Sequence, residues 1–251
     1  MIELKNLTVE YEDRTAVDAV SAVFENGKLT VLAAPNGGGK STLLRAVAGL
    51  QDKTSGEVLI DGIDSALMTR NEVARKIAYM AQSRNTPNIQ ARRMVLHGRF
   101  PYLSYPRRYR KEDYEAANKA MRQTDSIDLA EKFVQDLSGG QRQRIYLAMT
   151  LAQDTENVLM DEPLNFLDVK HQLELMALAK ELAAEGKAVV MVIHDIRLAM
   201  QEADAIALLQ EGCLAGFGTP EDVYASGKIN EVFGIQLDYA ETENGRRYYY
   251  R

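Results

Sequence analysis

A glycine-rich segment near the start of the chain combines residue types that bind phosphate. Residues 34–42 read APNGGGKST and lie between an apolar run and a helical pattern. Consecutive glycines let backbone N–H groups turn towards an anion, and the N-terminus of the following helix adds a positive partial charge. A lysine in this setting reaches the β- and γ-phosphates of a nucleotide, and the hydroxyl after it binds Mg²⁺. The candidate phosphate-binding residues are Asn36, Gly37, Gly38, Gly39, Lys40, Ser41 and Thr42.

This phosphate loop (residues 34–42) departs at one position from the pattern G-x-x-x-x-G-K-[ST]. Ala34 stands where the pattern has its first glycine. Glycine is needed there only if the backbone requires a positive φ, or if a Cβ would strike the ligand or the sheet. Because Ala34 lies at a predicted strand end, we expect an extended conformation that alanine tolerates. The alternative interpretation of the whole segment is a flexible glycine-rich turn.

Two carboxylates end a second apolar run. Residues 157–163 read NVLMDEP, so Asp161 and Glu162 directly follow a predicted buried strand. In nucleotide hydrolysis an aspartate at such a place holds Mg²⁺ through water, and a neighbouring glutamate takes a proton from the attacking water. Without the phosphate loop, the same pair would indicate only a solvated strand end.

A second helix start suited to an anion lies far along the chain. The signature segment (residues 137–141) reads LSGGQ, and Ile145, Met149 and Ala152 follow it on an amphipathic helical pattern. Two glycines at a helix start leave backbone N–H groups open to an anion at the positive end of the helix dipole. The candidate residues here are Ser138, Gly139, Gly140 and Gln141.

The residues named so far lie at the ends of short apolar runs and at the starts of helical patterns. Because such runs and patterns alternate along the chain, the sequence indicates a mixed α/β protein. The predicted strands are residues 2–8, 29–34, 57–61, 76–81, 157–161, 188–194 and 205–209. The early strands alternate apolar and polar residues, which favours an antiparallel sheet with one wet face. The runs around Val158 and Val189 are apolar almost throughout, as fits central parallel strands.

Helical patterns replace the strand signals between Gln82 and Leu151, which predicts an inserted α-helical subdomain. Residues 111–122 are an example of these charge-rich patterns. Residues 219–222 read TPED, which predicts a helix start with a threonine N-cap and proline at the first position. The tail, residues 246–251, is compatible with an edge strand.

Composition and charge exclude several classes of protein. The 251 residues carry a formal net charge of −6, which gives no overall attraction to nucleic acid or anionic lipid. With Cys213 as the only cysteine, neither a disulfide framework nor a cysteine metal site is expected. The N-terminus lacks a signal-peptide pattern, and the longest apolar runs are far too short to span a bilayer. Any membrane function would therefore require a membrane-spanning partner.

One segment of this acidic chain is locally basic. It consists of Arg107, Arg108, Arg110 and Lys111. We interpret it as a solvated helical face, and contact with lipid headgroups is the alternative.

Together, these segments resemble the ATP-binding subunit of ABC transporters, from about Ile2 to Phe233. Residues 36–42 resemble the Walker A loop, residues 158–162 resemble Walker B with its catalytic glutamate, and the signature segment matches the family's own signature. Further positions match in order: Tyr11 the aromatic stacked on adenine, Gln82 the Q-loop glutamine, residues 165–168 the D-loop that ends in Asp168, and His194 the switch histidine.

The resemblance implies ATP hydrolysis with ATP and Mg²⁺ bound at a shared site. It assigns catalysis to Lys40, Gln82, Glu162 and His194, and Mg²⁺ binding to Ser41, Gln82 and Asp161. Tyr11 and Asp168 join the phosphate-loop and signature residues as nucleotide-binding residues. In the family, two copies face each other head to tail, so ATP would lie between Lys40 of one copy and Ser138 of the other.

The resemblance also implies the fold and the partners. The expected fold is α/β: a P-loop NTPase core with a mostly parallel sheet, an N-terminal antiparallel β subdomain and an inserted α-helical subdomain. We expect one ABC ATPase domain over residues 1–251, with the core in residues 1–84 and 152–251 and the helical subdomain in residues 85–151. The expected partners are a transmembrane permease, a second copy and, indirectly, a substrate-binding protein, with no nucleic acid. The expected location is peripheral, on the cytoplasmic face of the inner (plasma) membrane.

Three further segments resemble importers of iron–siderophore complexes, haem or vitamin B12, namely residues 95–102, 167–172 and 216–223. The main alternative is a soluble ABC-type ATPase that acts on ribosomes or DNA. Ribosome-associated members usually carry two such domains, and chromosome and repair members insert a long coiled coil, whereas this chain has one domain and no sustained heptads. A nucleotide-binding scaffold without hydrolysis is disfavoured by the presence of both Glu162 and His194.

Overall fold

The computed structural model describes residues 1–82, 86–243 and 245–251. The strands of these residues form three sheets. The strands are β1 (Ile2–Tyr11), β2 (Arg14–Phe24), β3 (Leu29–Ala33), β4 (Ser55–Ile60), β5 (Ile63–Asp64), β6 (Ile77–Met80), β7 (Asn157–Met160), β8 (Ala188–Val192), β9 (Ala205–Gln210), β10 (Cys213–Gly218), β11 (Leu237–Thr242) and β12 (Gly245–Tyr250). The α-helices are α1 (Lys40–Val47), α2 (Arg70–Lys76), α3 (Ala91–Leu96), α4 (Lys111–Gln123), α5 (Gly139–Ala152), α6 (Val169–Ala184), α7 (Ile196–Glu202), α8 (Pro220–Ala225) and α9 (Lys228–Phe233).

The central sheet has six strands in the order β10-β9-β3-β8-β7-β6. Strands β9, β3, β8, β7 and β6 pair in parallel, and β10 is antiparallel to β9. Every residue of β3, β7 and β8 is buried, as parallel strands covered on both faces require. The carboxyl ends of parallel strands meet at one edge, so the phosphate loop after β3, the acidic pair after β7 and His194 after β8 are brought together. The predicted mostly parallel α/β core is confirmed.

A second, antiparallel sheet has the order β2-β1-β4-β5. Ile2 is opposite Phe24 on one side and Ile60 on the other. Its buried residues join Leu43 and Leu44 of α1 and one face of the central sheet in a single apolar core. The predicted antiparallel N-terminal sheet with one wet face is therefore confirmed, and it covers α1 behind the phosphate loop.

The described residues between β6 and β7 form helices α3, α4 and α5, three short 3₁₀ turns and one isolated bridge between Gln90 and Phe133. Helix α4 (Lys111–Gln123) confirms the helix predicted over residues 111–122. Buried residues of this region, among them Met121 and Ile145, join the core on the other face of the central sheet. The predicted domain boundary between residues 84 and 85 lies outside the described residues, and the division of the chain into subdomains stays a prediction.

The strands β2, β5, β10 and β11 lie outside the predicted set. In β2 the alternation of buried and exposed residues is interrupted, because the β1–β2 register shifts three times and Ala19 has a φ of 45°. The tail predicted as an edge strand is β12, which pairs with β11 in a separate two-stranded sheet.

The helix start predicted at residues 219–222 is confirmed, because Thr219 and Asp222 form a capping box before α8. Within the described ranges, no helix is long and apolar enough to cross a bilayer.

Candidate functional site

The phosphate loop curls around the N-terminus of α1. Gly37 and Gly39 have φ angles of 81° and 92°, the left-handed region that glycine enters at little cost. A Cβ on Gly39 would overlap the Ala16 carbonyl oxygen of β2. The close approach of β2 thus leaves room for backbone only. The result is a concave run of peptide groups at the positive end of a helix dipole.

Lys40 is the first residue of α1 and is 6% exposed. Its Nζ donates hydrogen bonds to the carbonyl oxygens of Ala34, at 2.8 Å, and Pro35, at 3.0 Å. Burial lowers the pKa of Lys40 below its ordinary value, although Glu162 and Asp161 act in the opposite direction. The ammonium group is therefore held against the loop, within reach of an anion bound there.

Asp161 directly follows β7 and is 1% exposed. Its Oδ2 accepts a hydrogen bond of 3.2 Å from the Tyr79 hydroxyl, whereas its Oδ1 is buried without a hydrogen-bond partner among the described residues. Burial raises the pKa of Asp161, and the nearby hydroxyl groups of Ser41 and Tyr79 oppose that rise. Burial also raises the pKa of Tyr79 to about 12, so its hydroxyl stays a donor. A buried carboxylate oxygen without a partner is rare, and a bound ion or water would satisfy it.

The Glu162 carboxylate lies against three side chains, of which two donate hydrogen bonds to it. Gln82 Nε2 and Asn165 Nδ2 donate to its Oε2 at 2.6 and 2.7 Å, and His194 Nε2 lies 2.8 Å from its Oε1. The Glu162 side chain is 10% exposed, and its φ of 51° is unusual for a residue with a side chain. Such strain persists only where the surroundings impose it, which is common at functional sites. The predicted residues Gln82, Glu162 and His194 thus form one cluster.

A cavity of about 470 Å³ lies over the phosphate loop. Its lining includes the predicted residues Asn36, Gly37, Gly38, Gly39, Lys40, Ser41, Thr42, Gln82 and Glu162. It also includes Arg14, Thr15 and Ala16 of β2 and the turn residues Glu211 and Gly212, which sequence reasoning missed. They follow no motif, because only the placement of β2 and of the β9–β10 turn beside the loop brings them there. The turn pattern Glu-Gly was the one local signal available.

The signature segment lies elsewhere in the same copy. Ser138 and Gln141 form a capping box at the start of α5: Gln141 N–H donates to Ser138 Oγ at 3.3 Å, and Ser138 N–H donates to Gln141 Oε1 at 3.2 Å. None of the residues 138–141 is among the described residues that line the phosphate-loop cavity. Gly139 lines a separate cleft of about 550 Å³, which it shares with Gln82.

Four other predicted residues are also not among the described residues that line the phosphate-loop cavity, namely Tyr11, Asp161, Asp168 and His194. The Tyr11 hydroxyl donates a hydrogen bond of 3.2 Å to Gln51 Oε1, and Tyr11 is 38% exposed. Asp168 is the N-cap of α6, where it accepts from the His171 backbone N–H at 3.0 Å. Its Oδ1 also lies 2.7 Å from His171 Nδ1. Asp168 thus stabilises a helix start, a role that its sequence position did not suggest.

Comparison with known proteins identifies the family. The model of the ABC transporter family matches residues 17–165, which include the phosphate loop, the signature segment and the acidic pair. The chain belongs to the ABC transporter family. The petrobactin import ATP-binding protein YclP of Bacillus subtilis (strain 168) is 37% identical over 249 residues, which are 98% of each chain. The ferric enterobactin transport ATP-binding protein FepC of Escherichia coli (strain K12) is 38% identical over 234 residues, which cover 92% of this chain and 86% of FepC.

A bacterial ABC transporter cassette solved as a dimer is 30% identical, with a TM-score of 0.77, and the match covers 88% of this chain and 99% of the cassette. The predicted ABC ATPase fold and its ATPase class are thereby confirmed.

The first position of the phosphate loop in this ABC ATPase does not need the positive φ that would favour glycine. Ala34 is 3% exposed and is absent from the described non-glycine residues with a positive φ. A Cβ placed on Gly38 would lie 2.8 Å from the Ala34 Cβ, so the methyl group occupies the space beside Gly38. Ala34 is not among the described residues that line the cavity. Alanine at position 34 and glycine at position 38 are therefore compatible as a pair.

Ala34→Gly is expected to change ATP affinity less than threefold, because neither the backbone conformation nor the cavity wall requires the substitution. The free energy of unfolding should fall by about 1 kcal/mol or less, from the greater freedom of the unfolded chain. Titration calorimetry and denaturant unfolding measure the two effects. A tenfold gain in affinity, about 1.4 kcal/mol, would mean that the methyl group holds the loop in a weaker geometry.

Proposed function

We propose that Glu162 is the general base of ATP hydrolysis in this chain. The observation that carries the proposal is its carboxylate, which lies within hydrogen-bond distance of Gln82 and His194 and lines the phosphate-loop cavity. A base must reach the water that attacks the γ-phosphate, and an otherwise enclosed carboxylate at the cavity wall can do so. His194 contacts the γ-phosphate, and Gln82 orients the attacking water.

The phosphate loop binds the nucleotide in this proposal. Lys40 neutralises charge on the β- and γ-phosphates, and backbone N–H groups of residues 36–42 donate to the phosphate oxygens. The N–H of Gly38 is the exception, because it donates to the Pro35 carbonyl at 3.1 Å. Support comes from the positive φ angles of Gly37 and Gly39, which let the loop curl, and from the place of residues 36–42 in the cavity lining. Tyr11, exposed at the end of β1, stacks on adenine.

The residues beside the cavity fit a divalent cation. Asp161 Oδ1 is a buried acceptor without a partner among the described residues, and the Ser41 hydroxyl is close enough to influence the Asp161 carboxyl. Carboxylate and hydroxyl oxygens are the donors that Mg²⁺ prefers. Ser41, Asp161 and Gln82 would hold Mg²⁺, directly or through water. When bound, the ion would neutralise charge on the β- and γ-phosphates.

A complete site requires two copies in this proposal. The transition state of phosphoryl transfer spreads negative charge over the γ-phosphate, and donors on both sides stabilise it. Residues 138–141 do not line the phosphate-loop cavity of their own copy. A head-to-tail dimer would place Ser138, Gly139, Gly140 and Gln141 of one copy over the nucleotide of the other, with Asp168 in the D-loop at the contact. The relative solved as a dimer supports the pairing of two copies.

In this proposal, ATP hydrolysis drives the import of an iron chelate through a transmembrane permease. Support comes from relatives named for petrobactin import and ferric enterobactin transport, which match most of the chain. The chain acts as a peripheral subunit at the cytoplasmic face of the membrane, and a substrate-binding protein delivers the cargo to the permease.

Uptake of radioactive iron supplied on petrobactin or on enterobactin tests this function. Cells that lack the gene should lose uptake of one of these complexes and regain it from a plasmid copy. Lys40→Ala should fail to restore uptake, because the phosphate loop loses its point charge.

Lys28→Ala provides the matched control, since Lys28 is an exposed lysine paired with Glu25 at 2.9 Å and away from the cavity. It should restore uptake fully at equal protein level. Unchanged iron uptake without the gene, together with ATPase stimulation by ribosomes, would instead assign the chain to the soluble class of ABC ATPases.

A further inference from the structure

Asn165 lies three residues after Glu162, in the turn that leads to α6. Its Nδ2 donates to Glu162 Oε2 at 2.7 Å, and its backbone N–H donates to the Glu162 carbonyl at 3.3 Å. Because a carboxylate only accepts, the nitrogen of the amide must face Glu162. Among the described residues, the Asn165 side chain donates to Glu162 alone. The Asn165 side chain thus binds a single oxygen of the proposed base, Oε2 of Glu162.

The other two groups on Glu162 have a second task in the proposed function. Gln82 is needed at the attacking water and Mg²⁺, and His194 at the γ-phosphate. When they turn to the nucleotide, Asn165 is left as the donor that fixes the carboxylate. Since Asn165 holds Oε2, the oxygen that faces the incoming water is Oε1, on the side where His194 lies.

The turn that carries Asn165 is held from both sides. Gln143 of α5 donates to the Pro163 carbonyl at 2.8 Å, and Gln172 of α6 donates to the Leu167 carbonyl at 3.1 Å. Phe166 has a φ of 66°, and a Cβ on Gly140 would lie 3.4 Å from its carbonyl oxygen. A fixed turn lets a short side chain hold a carboxylate to a few tenths of an ångström, as a catalytic base requires.

We propose that Asn165 is a positioning residue that fixes Glu162 Oε2 and so presents Oε1 as the proton acceptor. This inference rests on the proposed role of Glu162 as the general base. In the step, a water O–H bond breaks and its proton passes to Oε1. The water oxygen bonds to the γ-phosphorus, and the bond from that phosphorus to the bridging oxygen breaks, which leaves ADP and phosphate.

Steady-state hydrolysis of MgATP by the full chain tests the inference. Asn165→Ala should lower kcat about tenfold, equal to about 1.4 kcal/mol, with KM for ATP changed less than twofold. Asn165→Asp has the same shape but replaces the donor by an acceptor, so its loss should be at least as large. In the Glu162→Gln background, Asn165→Ala should cause no further loss in a single-turnover assay, because residues that act as one unit are not additive.

Gln172→Ala is the matched control, since it removes an amide that donates to backbone carbonyls of the same turn. It should lower kcat less than twofold, because Gln143 and the backbone hydrogen bonds of the turn still hold it. An equal loss in Gln172→Ala and Asn165→Ala would reduce the effect to a loosened turn and overturn the inference. Full activity of Asn165→Asp, with Glu162→Gln inactive, would also overturn it while leaving the base in place. Full activity of Glu162→Gln would overturn the proposed base itself.

Discussion

Glu162→Gln is expected to lower kcat for ATP hydrolysis by about 100-fold or more, the usual contribution of a general base. Glutamine keeps the size of glutamate and one oxygen that can accept from Gln82 and Asn165, so the cluster should stay assembled. It cannot take a proton at neutral pH. ATP binding should therefore persist while hydrolysis stops, and the variant should accumulate as an ATP-bound dimer on size-exclusion chromatography.

The matched control is Glu185→Gln, which removes the same charge from an exposed position after α6. Its kcat should stay within twofold of the native chain, and its elution with ATP should be unchanged. Turnover within tenfold of native in Glu162→Gln would exclude Glu162 as the base. Loss of ATP binding in that variant would instead indicate that the carboxylate serves to shape the phosphate-loop cavity.

The part of the site that lies at strand ends could be predicted from the sequence. Apolar runs that end in the phosphate loop, the acidic pair and His194 are each local signals. The parallel arrangement of β3, β7 and β8 then brings their ends to one edge. Local pattern and topology agree there, which is why the placement of Lys40, Glu162 and His194 at one edge of the sheet could be predicted.

The rest of the site depends on contacts between segments distant in sequence. Arg14 and Glu211 line the cavity because bulged strand β2 and the β9–β10 turn pack beside the loop, and neither carries a chemical signal. Asn165 belongs to a recognised D-loop, yet its hydrogen bond to Glu162 depends on the backbone angles of the turn, including the positive φ of Glu162. Asp168 likewise has its N-cap contacts fixed by where α6 begins. Such geometry follows from packing, which residue types alone do not specify.

Mixing two inactive variants is expected to restore hydrolysis if the site is shared between copies. Lys40→Ala removes the charge that binds phosphate, and Ser138→Arg breaks the Ser138–Gln141 capping box and places a bulky side chain at the start of α5. In a head-to-tail heterodimer, the phosphate loop of the Ser138→Arg chain would face the intact signature segment of the Lys40→Ala chain. One site would be complete and the other doubly defective. With random pairing at equal amounts, half the dimers are mixed, so activity should reach about a quarter of native.

The measurement is phosphate release at a fixed total concentration while the ratio of the two variants is varied. Activity should peak at equal amounts and vanish at either end, because homodimers of each variant lack a complete site. Both variants must first give native unfolding transitions, and differently tagged chains must co-purify, so that heterodimers are known to form.

The matched control is a mixture of Lys40→Ala with Glu162→Gln, whose defects lie on the same side of the site. It should stay near background, since neither site of that heterodimer has both an intact phosphate loop and a base. If the first mixture also stays inactive while heterodimers form, each copy must bind and hydrolyse ATP without the signature segment of its partner.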